Sequence, residues 1–308
     1  MYHLIIIGGG PGGVAAGVYA ARKKIKTLLI TESFGGQSMV SADVRNWIGT
    51  KSISGFDLAK NLEEHLRAQE SIDIRSPELV KIVKGKEKVF LVETDKGNTF
   101  ETKTIILTSG SRHRVLNVPG EKEFEGKGVV YCSTCDAPIF AGKTVAVVGG
   151  GNAGLEAVVD LFPYARKIYL LEYGDALKGD PITQERIKNG SNPVEIIFNA
   201  QTEVIMGEKF VRGLRYKDRI SEETKELKLD GVFVAIGATP NSAMVKDLVE
   251  LNTRGEVLID SKTGKTSREG IWAAGDVTDD PFKQNNISAG DAVKAALSVY
   301  QYLLAHKI

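Results

Sequence analysis

Cysteine is nearly absent from this chain. Among 308 residues there are two, and they stand three positions apart as Cys132-Ser133-Thr134-Cys135. A framework of structural disulfides would need more cysteines spread along the sequence. A zinc site would need further ligands, and the four scattered histidines (His3, His65, His113, His306) do not supply them, so no metal is expected. Charge of one sign is also missing: Lys and Arg number 40 against 39 Asp and Glu, a formal net charge of +1. That balance argues against nucleic acid or an anionic membrane as the main partner. No apolar run approaches the roughly 20 residues that span a bilayer. The first run, Leu4–Ile7, is too short for a signal sequence and has no charged segment ahead of it. A cytoplasmic protein is the expectation, and in that compartment an isolated Cys pair reads as redox-active rather than structural.

Glycine, by contrast, is plentiful at 33 residues and falls in clusters. The first cluster follows the apolar run Leu4–Ile7 as Gly8-x-Gly10-x-x-Gly13, and a small-residue helix pattern and a second apolar run, Thr27–Ile30, come after it. In this strand–turn–helix–strand pattern Gly8 permits the tight turn, Gly10 lets a pyrophosphate approach the backbone, and Gly13 lets the helix pack closely on the sheet. The helix start then offers free N–H groups to phosphates. Glu32, 19 residues after Gly13, is placed to accept ribose hydroxyls, about one residue later than the usual register. The unit recurs as Gly149-x-Gly151-x-x-Gly154, with Glu172 following Gly154 by 18 residues at the end of the run Ile168–Leu171. One such motif is weak evidence. Two complete copies predict an α/β chain with two Rossmann-like dinucleotide-binding domains.

A third glycine site closes the run Ile271–Ala274 as Gly275-Asp276, where Asp276 is either a ribityl-chain acceptor or a turn cap, and a helix is expected over Ala289–Ala305. Elsewhere the periodicity predicts a helix over Phe56–Gln69. It predicts one hairpin from Lys88–Thr94 and Asn98–Thr102 and a second from Phe210–Lys217 and Lys225–Leu229. Thr104–Leu107 and Val232–Ile236 read as separate buried strands.

Together, "GGGPGG", "FGGQ" (Phe34–Gln37), "NW-x-G" (Asn46–Gly49), "CSTCD", "GGGNAG", "IGATPN" (Ile236–Asn241) and the C-terminal "AAGD…KQ…SAG" resemble the low-molecular-weight thioredoxin reductase family over essentially the whole chain. The Cys pair stands just ahead of the second glycine motif, 14 residues before Gly149, which is that family's order. "CDAP", "LLEYGDALKGD" and "PFKQ" are similar to the C-terminal reductase part of the alkyl hydroperoxide reductase flavoproteins. Those proteins carry an N-terminal thioredoxin-like domain, which is not expected here because the first strand opens the chain. The resemblance implies FAD at the first motif and a nicotinamide dinucleotide at the second. It implies a discontinuous FAD domain over 1–113 and 244–308, with 114–243 inserted as the NAD(P)H domain, and rotation of one domain against the other. It places FAD against Gly8, Gly10, Pro11, Gly13, Glu32, Gly36, Gln37, Asn46, Gly110, Gly275, Asp276, Lys283, Gln284 and Asn285. It places the nicotinamide cofactor against Gly149, Gly151, Asn152, Ala153, Gly154, Glu172 and Gly237. A homodimer is implied as well.

By family position Cys135 faces the flavin and Cys132 attacks the protein substrate. Disulfide exchange needs an attacking thiolate and a resolving thiol in reach, and Cys-x-x-Cys supplies both. No histidine lies in a motif expected to supply a base, which leaves Asp136 as the acid/base candidate. The expected activity is a flavin-dependent disulfide reductase, a thioredoxin reductase in type. Its acceptor would be a thioredoxin-like or glutaredoxin-like protein or a protein of a peroxiredoxin system. The alternative is a flavin reductase, oxidase or ferredoxin-linked flavoenzyme with a regulatory Cys pair. For the donor, a carboxylate at Glu172 suits the free 2′-hydroxyl of NADH and repels the 2′-phosphate of NADPH. NADPH-using thioredoxin reductases carry His-Arg-Arg here, where this chain has Glu172-Tyr173-Gly174, and Arg166 and Lys167 begin the preceding strand facing solvent. NADH is therefore expected over NADPH, and steady-state kinetics with both should return the higher kcat/KM for NADH; a higher value for NADPH would refute the assignment.

Overall fold

The computed structural model describes residues 1–41, 43–86, 89–190 and 193–307. Lys88, expected to open a strand, and Ile308, the last residue of the expected FAD domain, lie outside the described residues. The chain divides into two compact units, Met1–Arg112 with Thr239–Ile308, and His113–Ala238.

In the first unit the apolar run at the N-terminus becomes the strand Tyr2–Gly9 at the centre of a seven-stranded sheet. Its parallel neighbours are Thr27–Phe34 and Thr99–Leu107. Ile72–Arg75 extends the sheet beyond Thr27–Phe34, and Ile271–Ala273 runs parallel to Thr99–Leu107. Because strand side chains alternate, Leu4 and Ile6 enter one core and Ile5 and Ile7 the other, so the run must be apolar throughout. Helices Pro11–Arg22 and Asn285–Ala305 cover the first face through Ala16, Ala20, Ala292, Ala295 and Ala296. Trp272 is buried beneath them and donates its indole N–H to Ser298 at 3.0 Å.

Thr99–Leu107 corrects an expectation, since two strands read separately are one strand of nine residues. Its first half pairs antiparallel with Val89–Thr94 and its second half parallel with Ile271–Ala273. The alternating pattern gives way to continuous apolar residues where the strand passes from the sheet margin into the double-sided core.

The second unit repeats the plan. Val194–Ile197, Lys167–Leu171, Thr144–Val148, Gly231–Val234 and Val129–Val130 form a five-stranded parallel sheet. Val145 and Val147 pack under helix Asn152–Leu161, while Ala146 and Val148 pack toward a three-stranded antiparallel sheet of Ala200–Gly207, Val211–Asp218 and Thr224–Lys228. The expected hairpin is the Val211–Asp218 and Thr224–Lys228 pair, and Ala200–Gly207 is a strand the periodicity did not reveal.

The two glycine loops are built alike. Gly8 and Gly149 have φ of +114° and +121°. A Cβ on Gly13 would lie 1.9 Å from the Gly8 carbonyl oxygen, and one on Gly154 1.7 Å from that of Gly149. The obstacle is backbone in both loops, so a side chain would force helix from strand. Gly154→Ala is expected to destabilise the protein by about 1–3 kcal/mol, read as a lower midpoint in denaturant unfolding; an unchanged midpoint would contradict this packing.

Candidate functional site

In the first unit a cavity of about 690 Å³ opens above the strand ends. Gly8, Gly10, Pro11, Glu32, Gly36, Gln37, Gly110, Gly275, Asp276, Lys283, Gln284 and Asn285 all line it. Gly13 lies behind the lining, packed on the Gly8 carbonyl. Asn46 does not line the cavity and instead donates to Gln284 Oε1 at 3.1 Å. Asp276 is held by Gln37, whose Nε2 lies 3.2 Å from Asp276 Oδ2 and 3.2 Å from Ser111 Oγ. Burial pushes the Asp276 carboxyl above its ordinary value, while Lys283 and the Ser288 hydroxyl pull it back. The Lys283 ammonium is itself held by buried Glu256 at 3.2 Å. Ser288 belongs to the "SAG" of the C-terminal motif, whereas Glu256 and Glu78, of which Glu78 also faces the cavity, carried no sequence motif.

The cavity fits a flavin dinucleotide. The Gly10 position is open, since a Cβ there would meet nothing closer than 3.9 Å. Gln37 Oε1 is buried and has no donor among the described residues, which leaves an acceptor for a ligand N–H. Asp276 stands ready for a hydroxyl-rich chain.

In the second unit a cavity of about 770 Å³ is lined by Gly149, Gly151, Asn152, Ala153, Glu172 and Gly237, among others. Gly154 packs behind it on the Gly149 carbonyl. A Cβ at Gly151 would meet nothing within 4 Å, so the loop is open to a pyrophosphate at the start of helix Asn152–Leu161. Asn152 Oδ1 accepts from the Asp180 N–H at 2.7 Å. Glu172 is buried and bound on both oxygens, Oε2 by the Gly150 N–H and Oε1 by the Gly174 N–H, each at 2.7 Å. The sequence marks Glu172 as a ribose acceptor; it is also a clamp across the glycine loop, with one lone pair left on each oxygen. Arg166 and Lys167 stand at the opposite end of the strand Lys167–Leu171, where Arg166 bonds Thr144 Oγ1 and Lys167 pairs with Glu195.

The Cys pair lies in the same unit. Cys132 and Cys135 are joined as a disulfide with Cα atoms 5.3 Å apart. The segment is a helical turn: Cys132 caps the short helix Ser133–Asp136, its Sγ accepting from the Cys135 N–H at 3.3 Å and its carbonyl from the Asp136 N–H at 3.1 Å. Asp136 is 8% exposed, and burial pushes its carboxyl up to about 6. Tyr131, directly before Cys132, is stacked by His113 with ring centroids 5.2 Å apart and bonded to Glu121. Burial holds the His113 imidazole below its ordinary value, a placement no sequence signal indicated.

Two glycine loops on parallel sheets and a disulfide beside a buried carboxyl point to pyridine-nucleotide redox chemistry. The family model described as pyridine nucleotide-disulphide oxidoreductase matches residues 2–296. The chain belongs to this family. Among curated proteins it is 42% identical over 303 residues to the NADH dehydrogenase of Bacillus subtilis, covering 98% of this chain and 59% of the relative. It is 42% identical over 306 residues to a component of the alkyl hydroperoxide reductase of Pseudomonas aeruginosa, covering 98% and 58%. The chain thus spans a little under three fifths of the length of these relatives. Among solved structures, thioredoxin reductase from Streptococcus pyogenes superposes with a TM-score of 0.92 at 31% identity, covering 99% of each chain. That from Giardia duodenalis gives 0.91 at 29%, covering 98% of this chain and 99% of its own. Among the described residues of this oxidoreductase no helix is long and apolar enough to cross a membrane.

The raised Asp136 carboxyl has a cost in stability. Between its ordinary value of 3.8 and about 6 the unfolded chain has released this proton and the folded chain retains it. The folded state therefore binds more protons, and this group's contribution falls as pH rises through that window, with the full cost present above it. Asp136→Asn should stabilise the protein by roughly 1–3 kcal/mol at pH 7 and flatten the dependence between pH 4 and 6. Denaturant unfolding across that range checks it, and an equal or lower stability of the variant at pH 7 would contradict the assignment.

Proposed function

We propose that this oxidoreductase passes electrons from NADH, with NADPH the poorer donor, through FAD in the first-unit cavity and the Cys132–Cys135 disulfide to a disulfide on a small protein. The observation that carries the reading is the disulfide itself, formed by the two cysteines of the chain and followed at once by a buried carboxyl poised near neutral pH. FAD held in the first-unit cavity would supply the two-electron chemistry that links nicotinamide oxidation to disulfide reduction. The chain's own residues do the rest. The glycine loops and helix starts bind the pyrophosphates. Gln37, Asp276 and Lys283 orient the flavin, and Glu172 both braces the second loop and disfavours a 2′-phosphate. Cys132 attacks the acceptor disulfide as a thiolate and Cys135 resolves the mixed disulfide. Asp136, with a carboxyl near 6, exchanges a proton with the pair close to working pH.

The acceptor is a thioredoxin-like or glutaredoxin-like protein, or a disulfide protein of a peroxiredoxin system. The thioredoxin reductases that share the fold over the whole chain support the first two, and the alkyl hydroperoxide reductase relatives support the third. A second reading, transfer from FAD directly to a small acceptor or oxygen with the Cys pair regulatory, is favoured by the relative named NADH dehydrogenase. Homodimer formation and a cytoplasmic site are part of the proposal by family resemblance.

Cys135→Ser separates the readings. NADH-dependent reduction of the protein acceptor should fall at least a hundredfold, while NADH oxidation by a small dye persists. Full acceptor reduction by the variant would refute the disulfide route.

A further inference from the structure

The two residues between the cysteines are tied to one carboxylate oxygen. Ser133 Oγ donates to Asp160 Oδ2 at 2.8 Å and Thr134 Oγ1 donates to the same oxygen at 3.2 Å. Asp160 belongs to a different element, the last turn of helix Asn152–Leu161, whose first turn carries the second glycine loop. The helix Ser133–Asp136 has four residues, far too few to hold its own shape. In the oxidised state the S–S bond ties the turn together. Once that bond opens, the bonds to Asp160 continue to anchor Ser133 and Thr134 to the body of the unit, and hydrogen bonds to an ionised acceptor are roughly twice as strong as neutral ones.

We propose that Asp160 is a positioning residue that sets the redox poise of the Cys132–Cys135 pair by holding both intervening hydroxyls. This rests on the reading of the pair as redox-active. Two effects act in one direction. Holding the turn keeps the two thiols apposed, which raises their effective concentration and favours the disulfide. A carboxylate close to the pair also disfavours thiolate, and so the reduced form. Both make the dithiol a stronger reductant. The hydroxyls, committed to Asp160, are also withheld from bonding to a thiolate sulfur.

The test equilibrates the full chain with mixtures of reduced and oxidised glutathione and quantifies free protein thiols by alkylation. In this exchange the protein dithiol gives two electrons and two protons to glutathione disulfide, forming one protein disulfide and two glutathione thiols. Asp160→Ala should shift the equilibrium about tenfold toward the dithiol, a potential higher by about 30 mV at 29.6 mV per decade. Asp160→Asn, which keeps an acceptor oxygen without the charge, should recover part of the shift. The double variant Ser133→Ala/Thr134→Val, which leaves the charge and removes the donors, should shift about threefold in the same direction. A merely structural role would weaken oxidised and reduced forms alike and leave the ratio unmoved. Shifts below twofold in both Asp160→Ala and the double variant, or a shift of either toward the disulfide, would overturn the proposal. The measurement reads the thiols alone, so it stands even if Cys135→Ser shows that electrons reach the acceptor by another route.

Discussion

The site in each unit depends on one close contact, a helix whose third loop glycine sits against the carbonyl oxygen of the first. At 1.9 Å and 1.7 Å from an imagined Cβ, neither position has room for any side chain. That contact drives a helix start onto the end of a central strand, directs its free N–H groups into a cavity and leaves the middle glycine open. The buried strands, the covering helices and the flanking carboxylates of both units are arranged around this geometry. Since the same contact occurs twice in one chain, two cavities of like construction follow from one architectural rule.

In the proposed function the Cys pair of the second unit serves as the relay. It has its own supports: a helical turn, a buried carboxyl at Asp136, a stacked Tyr131 on one side and the hydroxyl bonds to Asp160 on the other. A disulfide that opens and closes, as proposed, needs a frame that survives its opening, and these contacts all lie within the second unit.

Much of this was legible in the residues because the relevant physics is local. Strand runs buried on both faces have to be continuously apolar, as Leu4–Ile7 is, and Gly-x-Gly-x-x-Gly states a steric requirement that a single sequence displays. Contacts between distant segments were not legible. Asp160 occupies what reads as one more polar helix position, and only the fold brings it to Ser133. Glu172 reads as a ribose acceptor, and its clamp on Gly150 and Gly174 appears only when the loop closes over it. Helix Asn285–Ala305 begins four residues before the expected Ala289, because its polar first turn is held by contacts such as Ser38 with Asn285 rather than by apolar periodicity. Thr99–Leu107 was divided in two because its partner changes midway while the strand continues.

The most direct test of the central claim counts thiols. The FAD-loaded protein is mixed anaerobically with NADH in slight excess, and accessible thiols are alkylated and counted by mass, with an NADH-free control. Electron flow through the Cys132–Cys135 pair predicts two new thiols per chain with NADH and none without. Bleaching of the flavin with no new thiols would contradict it.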